Sequence, residues 1–160
     1  MIKVAILTVS DSCAQEKRQD VSGQTIKEVL PADKFEVCEY KIVPDEQEDI
    51  ENELKYFADE LKANIVFTTG GTGLGPRDVT PEATAAVCQK MVPGLAEAAR
   101  LEGLKKTSKA MLSRAVTGIR ADTLIINLPG SPKAVKESLE VILDVLPHAT
   151  DMLLGGGHDS

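Results

Sequence analysis

Residues 65–82 read IVFTTGGTGLGPRDVTPE. Five β-rich residues, Ile65 to Thr69, run without a spacer into Gly70-Gly71-Thr72-Gly73. Thr80-Pro81-Glu82 then has the form of a helix start: an N-cap, a proline at the first helical position and an acid in the first turn. A short, nearly continuous apolar run of this kind suits a strand covered on both faces, as in a parallel sheet. Three glycines within four residues let the backbone reach φ > 0 and come close to a ligand. Successive N–H groups in such a turn form an anion nest. Gly71, Gly73 and Gly75 fall at i, i+2 and i+4, so the GxGxxG fingerprint is absent, and no Lys-Ser/Thr follows, so neither is this a P-loop.

Other strand-like and helical stretches alternate along the chain, with no internal repeat. Lys3–Val9 and Phe35–Val43 read as strands, and so do Val116–Ile119 and Thr123–Leu128, the last two joined as a hairpin by Arg120-Ala121-Asp122. Helices are expected from about Ser22 to Leu30, along the face Ile50, Leu54, Phe57, Ala58 and Leu61, over Leu95–Leu104, and along Val135, Leu139, Ile142, Leu143 and Leu146. Asp45 with Glu48 has capping-box spacing, and Ser131-Pro132 forms a second cap and N1 pair. Residues 12–21 are polar, lack periodicity and read as a long loop of functional type. Pro147 starts or kinks a last helical piece to about Leu154, and 155–160 reads as a frayed tail. Strands alternating with helices give a single α/β domain over 1–154, a three-layer αβα sandwich with a mostly parallel sheet. Ligands in such folds sit outside the carboxyl ends of the strands. Ser10-Asp11, the 70–78 loop and the 127–131 loop share that edge.

Composition narrows the chemistry. In 160 residues, 18 Lys and Arg stand against 25 Asp and Glu, a formal charge of −7. That balance disfavours a binder of the nucleic-acid backbone, and 3% aromatic residues without Trp leave no stacking platform. Cys13, Cys38 and Cys88 form no CxxC motif, and three unpaired cysteines fit a reducing cytoplasm. With only His148 and His158, a histidine-built zinc site or a Ser-His-Asp hydrolase is disfavoured. No apolar run approaches a membrane span of ~18 residues, and Met1-Ile2-Lys3, running straight into a strand-like segment, is expected to lack a signal peptide.

Asp78 and Asp45 are the candidate catalytic residues. Both lie at strand-to-helix turns on the ligand edge, although each also fits a plain helix-terminus role. Two carboxylates facing a polyphosphate repel it unless a hard cation lies between them, which Mg²⁺ satisfies. Arg77 is placed to neutralise phosphate, or to be a solvated surface arginine. Asn127 suits a heterocycle or a neighbouring loop. Ser113-Arg114 alone reads as surface loop, and His148 as packing or interface.

VSD (9–11), VPDE (43–46), TTGGTGLGPRDVTPEAT (68–84), MLSR (111–114), GIR (118–120) and LIINLPGSP (124–132) together resemble the molybdopterin adenylyltransferases. These are the MogA/MoaB proteins and the G domains of gephyrin and its plant counterpart. Ser12 departs from the arginine that often follows the aspartate there. The resemblance implies a MogA-like homotrimer that, with Mg²⁺, transfers AMP from ATP to the terminal phosphate of molybdopterin and releases pyrophosphate. A molybdenum-insertase partner is implied downstream. Asp45 and Asp78 match the family's essential acids and tentative metal ligands. Ser10, Asp11, Asp20, Gly70, Gly71, Thr72, Gly73, Ser113, Pro129, Gly130 and Ser131 match positions lining the nucleotide and pterin pocket. The alternatives are a non-catalytic pterin-binding or trimerising scaffold of the same family, a CinA-type nucleotide pyrophosphatase, and, least favoured, a dinucleotide-dependent oxidoreductase.

Overall fold

The computed structural model describes residues 1–156. Its strands are β1 Ile2–Val9, β2 Phe35–Val43, β3 Ile65–Thr69, β4 Lys90–Met91, β5 Thr117–Arg120 and β6 Thr123–Leu128. They form one sheet in the order β2-β1-β3-β6-β5-β4. β2, β1, β3 and β6 run parallel; β5 is antiparallel to β6, and β4 to β5. The helices are α1 Asp11–Ala14, α2 Val21–Val29, α3 Gln47–Lys55, α4 Thr80–Val87, α5 Pro93–Leu104, α6 Pro132–Ile142 and α7 Leu146–Leu153.

Strand alternation divides the core into two layers. Val4 and Ile6 of β1, Ile65 and Phe67 of β3, and Leu124 and Ile126 of β6 pack with Ile26 of α2 and Val135, Leu139 and Ile142 of α6. Ala5, Leu7 and Val9, with Val66 and Ile125, face the other way onto Ile50 and Leu54 of α3, Phe57, and Ala83 and Val87 of α4. The central strands are therefore buried on both faces, which is why their sequences are nearly unbroken apolar runs. Each fully buried Leu, Ile or Phe contributes about 1.5–3 kcal/mol of transfer free energy, so this sandwich is a stiff platform for the loops above it. No described helix is long and apolar enough to cross a membrane.

Several expectations are corrected. Asp45 does not cap α3: Glu46 occupies the N-cap without a side-chain bond, because the Asp45 carboxylate is drawn away to the Asp11 N–H. Thr80 does not cap α4 either; Val79 stands there, and the Thr80 hydroxyl is buried without a hydrogen-bond partner. The 12–21 loop contains α1, capped by Ser10, whose hydroxyl accepts from Cys13 N–H at 3.2 Å. Its end is set by Asp20, which caps α2 through Gly23 N–H at 2.9 Å. α3 passes into a π turn over Tyr56–Glu60, and α5 begins at Pro93 rather than Leu95. The hairpin β5–β6 forms as expected, with Ala121 at φ 51°, and Ser131 caps α6 by accepting from Ala134 N–H. Of the expected tail, Gly155 and Gly156 close α7. Gly155 N–H donates to Met152 O and Gly156 N–H to Asp151 O, the paired bonds of a Schellman cap. Positions 157–160 lie outside the described residues.

Candidate active site

The chain leaves β1 for β2 on one side and returns to β3 on the other, so strand order reverses between β1 and β3. The carboxyl ends of these strands part there, which is where doubly wound sheets take ligands. Gly70 sits in that gap at φ 97°, and a Cβ on it would overlap the Val9 carbonyl oxygen. Gly71, at φ 70°, passes so close to the Thr80 hydroxyl that a Cβ would overlap it, and would stand 3.3 Å from Asp45 Oδ1. Both conditions, positive φ and a close approach, select glycine.

A polar cavity of about 190 Å³ opens at this point. Among its walls are Ser10, Asp20, Asp45, Gly70, Gly71, Asp78 and Gly130. Asp45 and Asp78, from loops 33 positions apart, thus meet on one cavity. A second, largely apolar cavity of about 290 Å³ lies beside it, lined by Ser113, Asn127, Pro129 and Ser131 together with residues of α5 and α6. The Pro129–Ser131 loop separates the two. It is held by Thr69 Oγ1 donating to Pro129 O at 2.6 Å and by Ser22 Oγ donating to Gly130 O at 2.7 Å. Asp11, Thr72, Gly73 and Arg77 line neither cavity.

The acids stand in different fields. Arg77 grips Asp11 with a two-bond fork, Nε to Oδ2 at 3.1 Å and Nη2 to Oδ1 at 3.0 Å, and reaches Glu46 with Nη1 at 2.8 Å. That guanidinium and the Asp45 N–H hold the Asp11 carboxyl below its usual value. Arg77 is therefore engaged by protein carboxylates rather than left free for phosphate. Asp45 is pushed the other way, chiefly by burial and then by the charges of Asp11 and Asp78, against the pull of the Asp11 N–H. Asp78 Oδ2 accepts from Gly75 N–H at 2.9 Å.

Asp20 is 8% exposed and its carboxylate accepts from Thr8 Oγ1 at 2.6 Å, from Gly23 N–H and from the Tyr40 hydroxyl. Burial, with Asp20 beside it, raises the Tyr40 phenol. Asn127 is equally committed to the fold: Nδ2 donates to Thr68 Oγ1 and Thr84 Oγ1, and Oδ1 accepts from Val116 N–H. Arg18 and Gln19 also line the polar cavity; a polar loop without periodicity carries no signal for which side chains turn inward.

A family model described as a probable molybdopterin binding domain matches residues 5–148. The chain belongs to the MogA/MoaB family. It is 45% identical over 156 residues, covering 96% of this chain and 89% of the other, to a protein of Helicobacter pylori strain J99 named molybdopterin adenylyltransferase. It is 42% identical over 160 residues to gephyrin of Dictyostelium discoideum, 94% of this chain but 22% of that one. The crystal structure of the molybdopterin biosynthesis enzyme MoaB from Thermus thermophilus superposes with a TM-score of 0.92 at 52% identity, over 97% of this chain and 98% of that chain. The chain is thus an αβα domain of the MogA/MoaB type, and its role lies in molybdenum cofactor biosynthesis.

Among the described residues no three His, Cys, Asp or Glu side chains are grouped to hold a cation by themselves. Asp45 and Asp78 offer two hard oxygen donors on one cavity, and their mutual repulsion favours a cation between them. Mg²⁺ is commonly held by one or two carboxylates, with substrate phosphates and water completing the shell. The residues present fit such an ion bound together with substrate.

Proposed function

We propose that this chain transfers AMP from ATP to the terminal phosphate of molybdopterin, releasing pyrophosphate. An oxygen of the pterin phosphate attacks the α-phosphorus of ATP, the bond to the bridging α–β oxygen breaks, and pyrophosphate carries away that electron pair. The observation that carries this reading is the convergence of Asp45, Asp78, Gly70 and Gly71 on one polar cavity at the strand-order reversal.

The nucleophile belongs to the substrate, so the protein's work is alignment and charge management. Main-chain N–H groups of the Gly70–Gly71 turn are suited to phosphate oxygens. Arg18, a cation in the cavity wall, takes the phosphate-neutralising role that Arg77 is too engaged to play. Asp45 and Asp78 would hold Mg²⁺, which when bound offsets the repulsion between the two polyanions. The polar cavity suits the reacting phosphates, and the apolar one beside it suits a planar ring. We infer also that the chain works as a homotrimer in the cytoplasm and passes adenylylated molybdopterin to an insertase.

The test is an assay with purified protein, ATP, Mg²⁺ and molybdopterin. Adenylylated molybdopterin and pyrophosphate should form in equal amounts, and only with all three present. Pterin binding without AMP transfer would favour the scaffold reading, and nucleotide hydrolysis without pterin the pyrophosphatase reading.

A further inference from the structure

Arg114 follows a 3₁₀ turn, Ser108–Leu112, and nothing in its local sequence gives it a task. Its guanidinium nonetheless spans the whole loop that carries Asp78. Nε donates to Gly73 O at 2.8 Å, at the loop's start, and Nη2 donates to Asp78 O at 2.8 Å, at its end. Nη1 and Nη2 also reach the two Glu82 carboxylate oxygens at 2.6 and 3.2 Å, in the first turn of α4. The Arg114 N–H donates to Thr72 O at 2.9 Å. The segment is in turn tied to α5, since Arg100 Nη1 donates to Ala115 O at 2.7 Å.

We infer that Arg114 is a positioning residue for the adenylyl-transfer site, fixing where Asp78 stands by bracing both ends of its loop. The inference rests on the function proposed above. Its charge is matched by Glu82 and its donors by main-chain carbonyls, so it acts on the loop and not on a ligand. Only a planar fork with several fixed donors can hold Gly73, Asp78 and Glu82 at once; a lysine ammonium on a flexible stem cannot. The Gly73–Asp78 loop is also tied through the exposed Arg77 side chain to Asp11 and Glu46, but Arg114 is what bonds the main chain at its two ends. Asp78 and Gly75 bond each other in a local turn, Asp78 N–H to Gly75 O at 3.0 Å and Gly75 N–H to Asp78 Oδ2, which fixes the turn's shape but not its place. Displacing a site group by about 1 Å can lower a rate by ~10²-fold.

The experiment is a double-mutant cycle with Arg114→Gln and Asp78→Ala, reading AMP transfer, together with hydrogen exchange of the Gly75 and Asp78 amides in Arg114→Gln. Arg114→Gln should lose ~10–10²-fold in turnover, exchange those two amides faster, and keep its thermal midpoint within a few degrees. In the Asp78→Ala background the same change should cost less than about threefold, because residues acting through one another are not additive. Wild-type turnover in Arg114→Gln overturns the inference, and so does an equal fold-loss in both backgrounds. If Arg114→Gln does not fold, Arg114→Lys is read by the same cycle with the same criteria. An Asp78→Ala protein with undiminished turnover would instead remove Asp78 from the reaction, a failure of the functional reading that the cycle separates from a failure of the brace.

Discussion

Asp11 and Asp45 bind each other reciprocally across 34 positions: the Asp11 N–H donates to Asp45 Oδ2 and the Asp45 N–H to Asp11 Oδ1, each at 2.9 Å. Each carboxylate is thus aimed by the other's backbone, which locks the end of β1 to the end of β2 and turns Asp45 towards the cavity. The arrangement brings two negative charges close, and the Arg77 fork bonds Asp11 directly while reaching Asp45 only through its charge.

That imbalance predicts a trade of stability for activity at Asp45. Its folded carboxyl titrates above the unfolded value, so the native state holds the proton more tightly. The penalty is absent below the unfolded range and grows as pH rises through the folded one. Asp45→Asn keeps the Oδ acceptor for the Asp11 N–H and removes the charge. Its thermal midpoint should rise at pH 7, by ~2–4 °C for each kcal/mol relieved in a domain of this size, with the gain shrinking towards pH 3. AMP transfer should fall by ~10²-fold or more. Calorimetry across pH, run beside the transfer assay, checks both halves.

The glycines of the 70–75 loop are not equivalent. Gly70→Ala meets main-chain oxygen at a positive φ and should cost more than about 2 kcal/mol in urea unfolding. Gly73→Ala has no such backbone conflict, but its Cβ would stand 3.0 Å from Asp78 Oδ2. It should unfold within about 1 kcal/mol of wild type and still lose turnover, because the carboxylate must shift.

Much of the architecture was legible because it depends on local pattern. Buried parallel strands betray themselves as apolar runs, and Ser131-Pro132 needs nothing beyond its own helix to act as a cap. The rest depends on long-range geometry or on elements too short for local pattern to carry. Asp45 has a capping sequence, yet Asp11 takes its carboxylate. Thr80 has a capping sequence, yet its hydroxyl is turned under Gly71. Arg114 looks like surface because its partners lie 32 to 41 positions away. β4 is two exposed residues, too short for any periodicity to register.

Two buried threonines should answer oppositely to the same change. The Thr80 hydroxyl is buried with no partner, so Thr80→Val removes an unsatisfied group and should be neutral or stabilising by up to about 1 kcal/mol. Thr123 Oγ1 donates to the buried Ala63 O at 2.6 Å, so Thr123→Val strands an acceptor and should cost about 1–3 kcal/mol. Chemical denaturation of the pair decides this.

Asn127 is expected to behave as a structural residue. Its amide joins Thr68, Thr84 and Val116 at 4% exposure. Asn127→Leu should destabilise by about 2–4 kcal/mol through several unsatisfied partners. Turnover per folded molecule, measured well below the unfolding transition, should change by less than about tenfold, a far smaller effect than removing a site carboxylate.

The most direct test of the site is the turnover of Asp78→Ala with ATP, Mg²⁺ and molybdopterin. The Asp78 carboxylate bonds the Gly75 N–H of its own loop and contributes little to the core, so the variant should fold with a near-normal midpoint. Its adenylylation rate should drop by at least ~10²-fold, the usual cost of removing a preorganised charge-stabilising group. A folded Asp78→Ala protein that turns over at the wild-type rate would contradict the claim that these two carboxylates and the glycine turn form one phosphate-handling site.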